Sequence, residues 1–240
     1  MIANAGVDGY STAGNIASFH GWFDRIPGLK PRAVLVYVGI NDAVVDPSKL
    51  DLLGSQRYLS RWRQVRHYVA AHSVLHRLFA SVRRSLRAHA AMLGYNDTPA
   101  PTAMSDWRPA SLPPDFAALA AQKVSAYRRR LAELNRLIYE FGSRPVYITQ
   151  RRADGRKVDG NWQELAGSDG GRQGAVLAAI NDATLVFCAD NGETCIDLAS
   201  QAGLSPEEFG DYIHLSPAGS AHIARFLAAR LDPLLCRRPD

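Results

Sequence analysis

The stretch Arg32 to Ala43, Arg-Ala-Val-Leu-Val-Tyr-Val-Gly-Ile-Asn-Asp-Ala, constrains the fold of this chain more than any other. Every residue from Ala33 to Val38 is apolar, most are β-branched or aromatic, and Gly39 ends the run just before two polar side chains. Such an unbroken run is the pattern of a strand buried on both faces of a parallel sheet. Open parallel sheets bind ligands outside the carboxyl ends of their strands, so Asn41 and Asp42 arrive where chemistry is usually done. On these residues alone, an Asx turn that merely closes the strand accounts for them equally well.

The segments on either side give an alternating α/β order. Met1 to Thr12 reads as the last residues of a strand breaking into a glycine-punctuated loop, and Ser11 or Thr12 can cap a helix over about 13–25 whose Ile16, Phe19, Trp22 and Phe23 share one face. That makes a strand-helix-strand unit with parallel strands and a right-handed crossover. Asp115 to Phe141 is predicted as a helix stopped by Gly142. Arg144 to Gln150 follows as a short buried strand, Arg151 to Asp169 as a polar loop, Gln173 to Asp190 as a helix and Thr194 to Leu198 as a last strand. Ser216-Pro217 opens a closing helix that runs to Leu235, with proline at a tolerated first-turn position. One domain over residues 1–240 is expected, interrupted by a helical and proline-rich insertion at about 50–114 that is long enough to cap the site.

The net charge of +5 is concentrated in that insertion: between Leu52 and Asn96 there are eight arginines and no acidic residue. Outside it the chain is close to neutral, which argues against a nucleic-acid partner and for a local basic surface. Arg57 to Arg87 is either a solvated helical face or a contact for an anionic polymer or lipid headgroups. No run approaches the roughly 18 apolar residues that span a bilayer. Three cysteines are present; Cys188 and Cys195 flank a turn-like Ala-Asp-Asn-Gly-Glu-Thr and either close a disulfide loop, implying an oxidising compartment, or stay reduced. No histidine and cysteine spacing of a metal site is present, and no cofactor is expected.

Ahead of the last helix lies Gly210-Asp-Tyr-Ile-His-Leu-Ser-Pro-Ala-Gly219. An aspartate three residues before a histidine on a loop can fold back to accept the Nδ1 hydrogen, which leaves Nε2 to act as a general base. Thr149 and Gln150, at the end of their strand, either line an acyl or alcohol pocket or simply close the strand.

Taken together, these short blocks resemble the GDSL or SGNH hydrolases. Asn4-Ala-Gly6-Val-Asp-Gly9-Tyr-Ser-Thr12 is similar to the family's second block, whose glycine offers a backbone N–H to an oxyanion. Gly39-Ile-Asn41-Asp42 is similar to the third, whose asparagine offers a second donor, and Asp211-Tyr-Ile-His214 to the fifth, which supplies acid and base. The resemblance implies a three-layer flavodoxin-like α/β fold, a short parallel sheet flanked by helices. It implies catalytic roles for Gly9, Asn41, Asp211 and His214 in acyl transfer through a serine. The family's first block, Gly-Asp-Ser, occurs nowhere in the sequence. The expectation is that the first strand and its serine precede Met1, which would leave an open slot in the sheet and would carry any signal peptide or anchor with it. The function implied is hydrolysis of acyl, chiefly acetyl, esters of a carbohydrate in the cell envelope or outside the cell. Carbohydrate O-acetyl transfer by the same triad, or a binding module that has lost its nucleophile, are the alternatives.

Overall fold

Three parallel strands organise the computed structural model, which describes residues 3–7, 9–44 and 106–235. The described residues all belong to one compact unit that takes in Met1–Gly54 and Ala100–Asp240. In chain order the unit contains α1 (Thr12–Gly21), β1 (Ala33–Tyr37), α2 (Ile40–Val44), β2 (Trp107–Pro109) and α3 (Phe116–Glu140). It continues with β3 (Arg144–Ile148), β4 (Gly155–Val158), β5 (Asn161–Leu165), α4 (Gly170–Asn191), β6 (Thr194–Ile196), α5 (Leu198–Gln201) and α6 (Pro217–Leu235). The parallel sheet has the order β1-β3-β6, with Leu35 opposite Val146 and Tyr147 opposite Cys195.

The pleat sends alternate strand residues to two helical layers. Val36 and Tyr147 join Tyr127, Leu131, Leu134 and Ile138 of α3 and Val176, Leu177 and Ile180 of α4 in one core, with Ile16 and Phe19 of α1 packed against it. Val146, Ile148 and Ile196 point the other way, onto Leu198 of α5 and Ile223, Phe226 and Leu227 of α6. The architecture is therefore three-layer α/β, a short parallel sheet between helices. Strand β1 departs from expectation in one respect. It lies at the edge of the described sheet, and Leu35 and Tyr37 are 43% and 42% exposed rather than buried.

Two further readings need correction. Ala3 to Val7 has no strand structure, so the strand-helix-strand unit read at the amino end is not formed among the described residues. The polar loop read over 151–169 contains a hairpin, β4 and β5, turning on Asp159 and Gly160, both with positive φ (48° and 81°). An Asp-Gly pair with two left-handed residues is the turn that matches the twist of a hairpin. Its strands carry few apolar residues, so the pattern that marks strands elsewhere is weak there. Strand β2 pairs antiparallel with β5, giving a second three-stranded sheet from a segment read as loop. Most of the insertion, with Arg57 to Arg87, lies outside the described residues. Among the described helices, none is long and apolar enough to cross a membrane.

A buried ionic cluster ties the amino-terminal loop to this core. Asp42 is 2% exposed, and its carboxylate accepts from the Thr12 N–H at 3.0 Å, the Thr12 hydroxyl at 2.5 Å and Arg130 of α3 at 3.0 Å. Arg130 Nε also donates to the Thr12 hydroxyl at 2.8 Å. The Ser11 side chain makes no capping bond, so it is Asp42, from across the fold, that caps α1 and places a negative charge at its positive end. At the far end of α4, Gly192 in the left-handed conformation turns the chain into β6, and Cys188 and Cys195 are disulfide-bonded across the turn.

Two stability measurements follow. Replacing Asp42 with alanine breaks a buried pair and should cost about 3–5 kcal/mol in urea unfolding; a loss below about 1 kcal/mol would mean that the cluster does not hold α1. Reducing the Cys188–Cys195 bond should lower stability by about 2.5 kcal/mol by loop-closure entropy, and an unchanged urea midpoint with and without reductant would contradict it.

Candidate functional site

At the carboxyl end of the sheet the chain leaves β1, β3 and β6 through three adjacent segments. After β1, Gly39 has φ of 131°, which bends the backbone so that Ile40 starts α2 directly. The conformation favours glycine, and a Cβ there would crowd the Ile180 side chain at 3.0 Å. Asn41 and Asp42 consequently lie in the first turn of a short helix, not in an extended Asx turn. Asp42 points inward to the cluster described above, and the Asn41 side-chain amide donates to the Tyr10 carbonyl at 2.8 Å. A carboxamide nitrogen carries two hydrogens, so this bond orients Asn41 while a second N–H remains to be offered. Gly9, with φ of 75°, immediately precedes Tyr10. The structure therefore brings Gly9 and Asn41 to one place.

His214 and Asp211 form a second group. His214 Nδ1 lies 2.7 Å from Asp211 Oδ2, and Asp211 Oδ1 accepts the backbone N–H groups of Ile213 at 2.8 Å and His214 at 2.7 Å. The carboxylate is thus fixed by its own loop before it meets the imidazole. Partial burial pulls the Asp211 carboxyl upward, but the hydrogen bonds from the His214 ring and from the two backbone groups outweigh it and hold the group below the usual carboxylate range. The loop closes on itself: Phe209 bridges Leu215, and the Gly210 N–H donates to the His214 carbonyl at 2.7 Å.

The segment after β3 joins the two groups. The Gln150 carbonyl and N–H pair with the Asn181 side chain of α4, and Gln150 Oε1 accepts the Ile40 N–H at 2.7 Å, beside Asn41. Three residues on, the Ala153 N–H donates to the Tyr212 carbonyl at 2.9 Å, inside the Asp211–His214 loop. Residues 150 to 153 span at most about 11 Å even when extended, so both groups stand at one end of the sheet within a single loop's reach. Thr149 and Gln150 are buried, and the Thr149 hydroxyl is engaged with Asp197 and the Ala199 N–H at the start of α5.

Several residues that hold this region were not singled out from sequence. Arg152 forks onto Asp154 with two bonds of 2.9 and 2.8 Å, both side chains buried, and this pair sets the path of the loop between Gln150 and the hairpin. Glu208 accepts the Ser205 N–H and meets His222 Nδ1 at 2.6 Å, pinning the turn before Phe209 to α6. Gly219 allows that approach, since a Cβ would fall 2.0 Å from the Glu208 carbonyl. Arg152 and Asp154 are two residues apart and Ser205 and Glu208 have the three-residue spacing of a capping box, signals that the sequence carries, whereas the meeting of Glu208 with His222 joins a turn to a helix that spacing does not connect. Among the described residues, no group of three or more histidine, cysteine, aspartate or glutamate side chains is gathered to hold a metal ion.

No protein-family model matches this chain, and no curated protein sequence matches it. Among solved structures it is similar to a catalytic mutant of Axe2, an acetylxylan esterase from Geobacillus stearothermophilus, with 13% identity and a TM-score of 0.49 over 95% of this chain and 71% of that one.

Proposed function

We propose that this chain carries the base, the orienting acid and the oxyanion donors of a serine ester hydrolase acting on acyl, chiefly acetyl, esters of carbohydrate. The observation that carries the reading is the His214–Asp211 pair, 2.7 Å apart, on a loop hydrogen-bonded into the same carboxyl end that holds Asn41 and Gly9. With Nδ1 engaged by Asp211, Nε2 takes the proton of an attacking serine hydroxyl. The tetrahedral oxyanion that forms is met by the Asn41 amide and the Gly9 N–H. His214 then returns the proton to the leaving sugar oxygen, and water attacks the acyl-enzyme by the same route in reverse. Thr149 and Gln150 serve this site through the backbone they fix rather than by touching the ester.

The reading requires a nucleophilic serine from outside residues 1–240, delivered on a strand that pairs along β1. Among the described residues β1 is an edge strand with Leu35 and Tyr37 partly exposed, which supports this: an apolar parallel strand is ordinarily paired on both sides and covered on both faces. The Cys188–Cys195 bond supports an oxidising compartment. Residues 50–114 are an insertion in the one domain.

The reading is tested on protein extended upstream to include an in-frame Gly-Asp-Ser. Hydrolysis of acetylated saccharides or aryl acetates, with labelling of that serine by a fluorophosphonate, is the expected result; neither activity nor labelling would sink the proposal. His214→Ala should abolish turnover. Asp211→Asn should lower it by about 10⁴-fold through the wrong tautomer. Asn41→Ala should lower kcat by about 10²- to 10³-fold with little change in KM.

Asp211 also predicts a pH signature. Its folded carboxyl titrates below its unfolded value, so its contribution to stability is present above about pH 4 and lost as pH falls through the folded value. The stability gap between the wild type and Asp211→Asn should therefore narrow on acidification; a gap that does not change from pH 7 to pH 3 would contradict the loop geometry.

A further inference from the structure

The second sheet and the loop after β3 enclose a cavity of about 170 Å³ that the proposed triad does not use. Trp107 of β2, Arg156 of β4 and Arg151 line it together with Ala153, Leu204 and Phe209. Two of its lining residues are tied to the His214 loop: the Ala153 N–H donates to the Tyr212 carbonyl and Phe209 bridges Leu215. The volume is roughly that of five or six liquid waters, too small for a drug-sized ligand and of the order of a single sugar ring.

Its charge is unbalanced. The Arg156 guanidinium stacks on the Trp107 ring, 4.1 Å from the centroid, and its Nε is held by Gln163 at 2.9 Å. Neither Arg156 nor Arg151 is paired with a carboxylate among the described residues. The nearest acid in sequence, Asp154, is fully committed to Arg152 through both oxygens. Arg151 is partly desolvated, and that burial pulls its guanidinium below the ordinary arginine value, with no carboxylate opposing the shift. An arginine braced by an aromatic face and an amide, yet without an anion, is organised in advance to fork onto one. Arg156 reaches the cavity from the exposed hairpin and Arg151 from the half-buried loop after β3, so both guanidinium groups are open to a ligand.

We propose that this cavity is a subsite for a sugar ring that bears an anionic group, its carboxylate or sulfate held between Arg151 and Arg156 and its ring against the apolar wall of Leu204 and Phe209. The substrate would then be an ester on an acidic polysaccharide, with the anionic residue seated beside the ester that His214 serves. Only this last step, the role of the bound sugar in turnover, rests on the ester-hydrolase reading; the binding itself does not.

Calorimetric titration of the intact chain with trigalacturonate, a sulfated disaccharide, neutral xylotriose and inorganic sulfate tests the proposal without requiring a nucleophile. Either or both anionic sugars should bind at least about tenfold more tightly than xylotriose, consistent with one charged hydrogen-bonded contact. Uronate alone identifies a carboxylate site, and equal binding of both identifies one that reads charge. Arg151→Gln and Arg156→Gln should each reduce that preference about tenfold, and the double variant should erase it while xylotriose binding is unchanged. Arg151→Lys and Arg156→Lys, which keep the charge, should retain part of it and guard against a folding artefact in the neutral variants. Xylotriose binding as tightly as the anionic sugars, inorganic sulfate matching them, or a folded double variant that keeps the preference would overturn the proposal. An extended protein that binds trigalacturonate but hydrolyses no ester would instead fail the hydrolase reading alone.

Discussion

The carboxylate of Asp42 is the contact on which the rest of this structure depends. It is out of water, and in that position a charge is tolerated only if its oxygens are satisfied by donors and a cation. The Thr12 N–H and hydroxyl supply them from the start of α1, and Arg130 from the distant α3. Because all three must meet at one point, the loop carrying Gly9 and Tyr10 cannot slide relative to the end of β1. The Asn41 bond to the Tyr10 carbonyl is a consequence of that register. A buried ion pair adds little net stability over an apolar replacement, but it rejects other arrangements strongly, and here the arrangement selected is the one that sets an amide beside a glycine loop.

The second sheet is held by the absence of side chains. A Cβ on Gly170 would fall 2.0 Å from the Asp154 carbonyl, one on Gly155 would fall 2.1 Å from the Gly170 carbonyl, and one on Gly171 would fall 2.1 Å from Ala110. The start of α4 therefore rests backbone on backbone against the hairpin and on the Ala110 methyl after β2. That close seating fixes Trp107 and Arg156 relative to the loop after β3, since Gly155 is continuous with the Arg152–Asp154 pair. The same glycines are poor helix formers, so the first turn of α4 is a place where packing overrides propensity.

That conflict explains how much could be read from the sequence. Strands β1 and β3 and helices α3, α4 and α6 follow apolar runs or helical periodicity, and each lies where the pattern puts it, within a few residues. The pairing of Asp211 with His214 was visible because both groups sit on one short loop, and the Cys188–Cys195 link because the cysteines flank a turn. What was missed is either polar or non-local. The hairpin strands Gly155–Val158 and Asn161–Leu165 bury little, although their Asp159-Gly160 turn was a signal that could have been used. The capping of α1 by Asp42, the engagement of Thr149 by Asp197 and the meeting of Glu208 with His222 join residues from different elements. No spacing rule connects them, because the fold has to exist before they are neighbours.

The carboxylates at this end of the sheet share one property: each is spent on local structure. Asp42 holds α1, Asp154 answers Arg152, Asp197 caps α5 and meets Thr149, and Asp211 is saturated by its own loop and His214. The scaffold therefore consumes its negative charge in fixing the loops and leaves Arg151 and Arg156 facing a cavity without a counter-ion. Had either arginine been needed for stability, an acid placed beside it would have supplied the partner at small cost, as Asp154 does for Arg152 one residue away. At the wall next to the His214 loop neither guanidinium has a carboxylate partner among the described residues, and a ligand that brings its own negative charge would supply one.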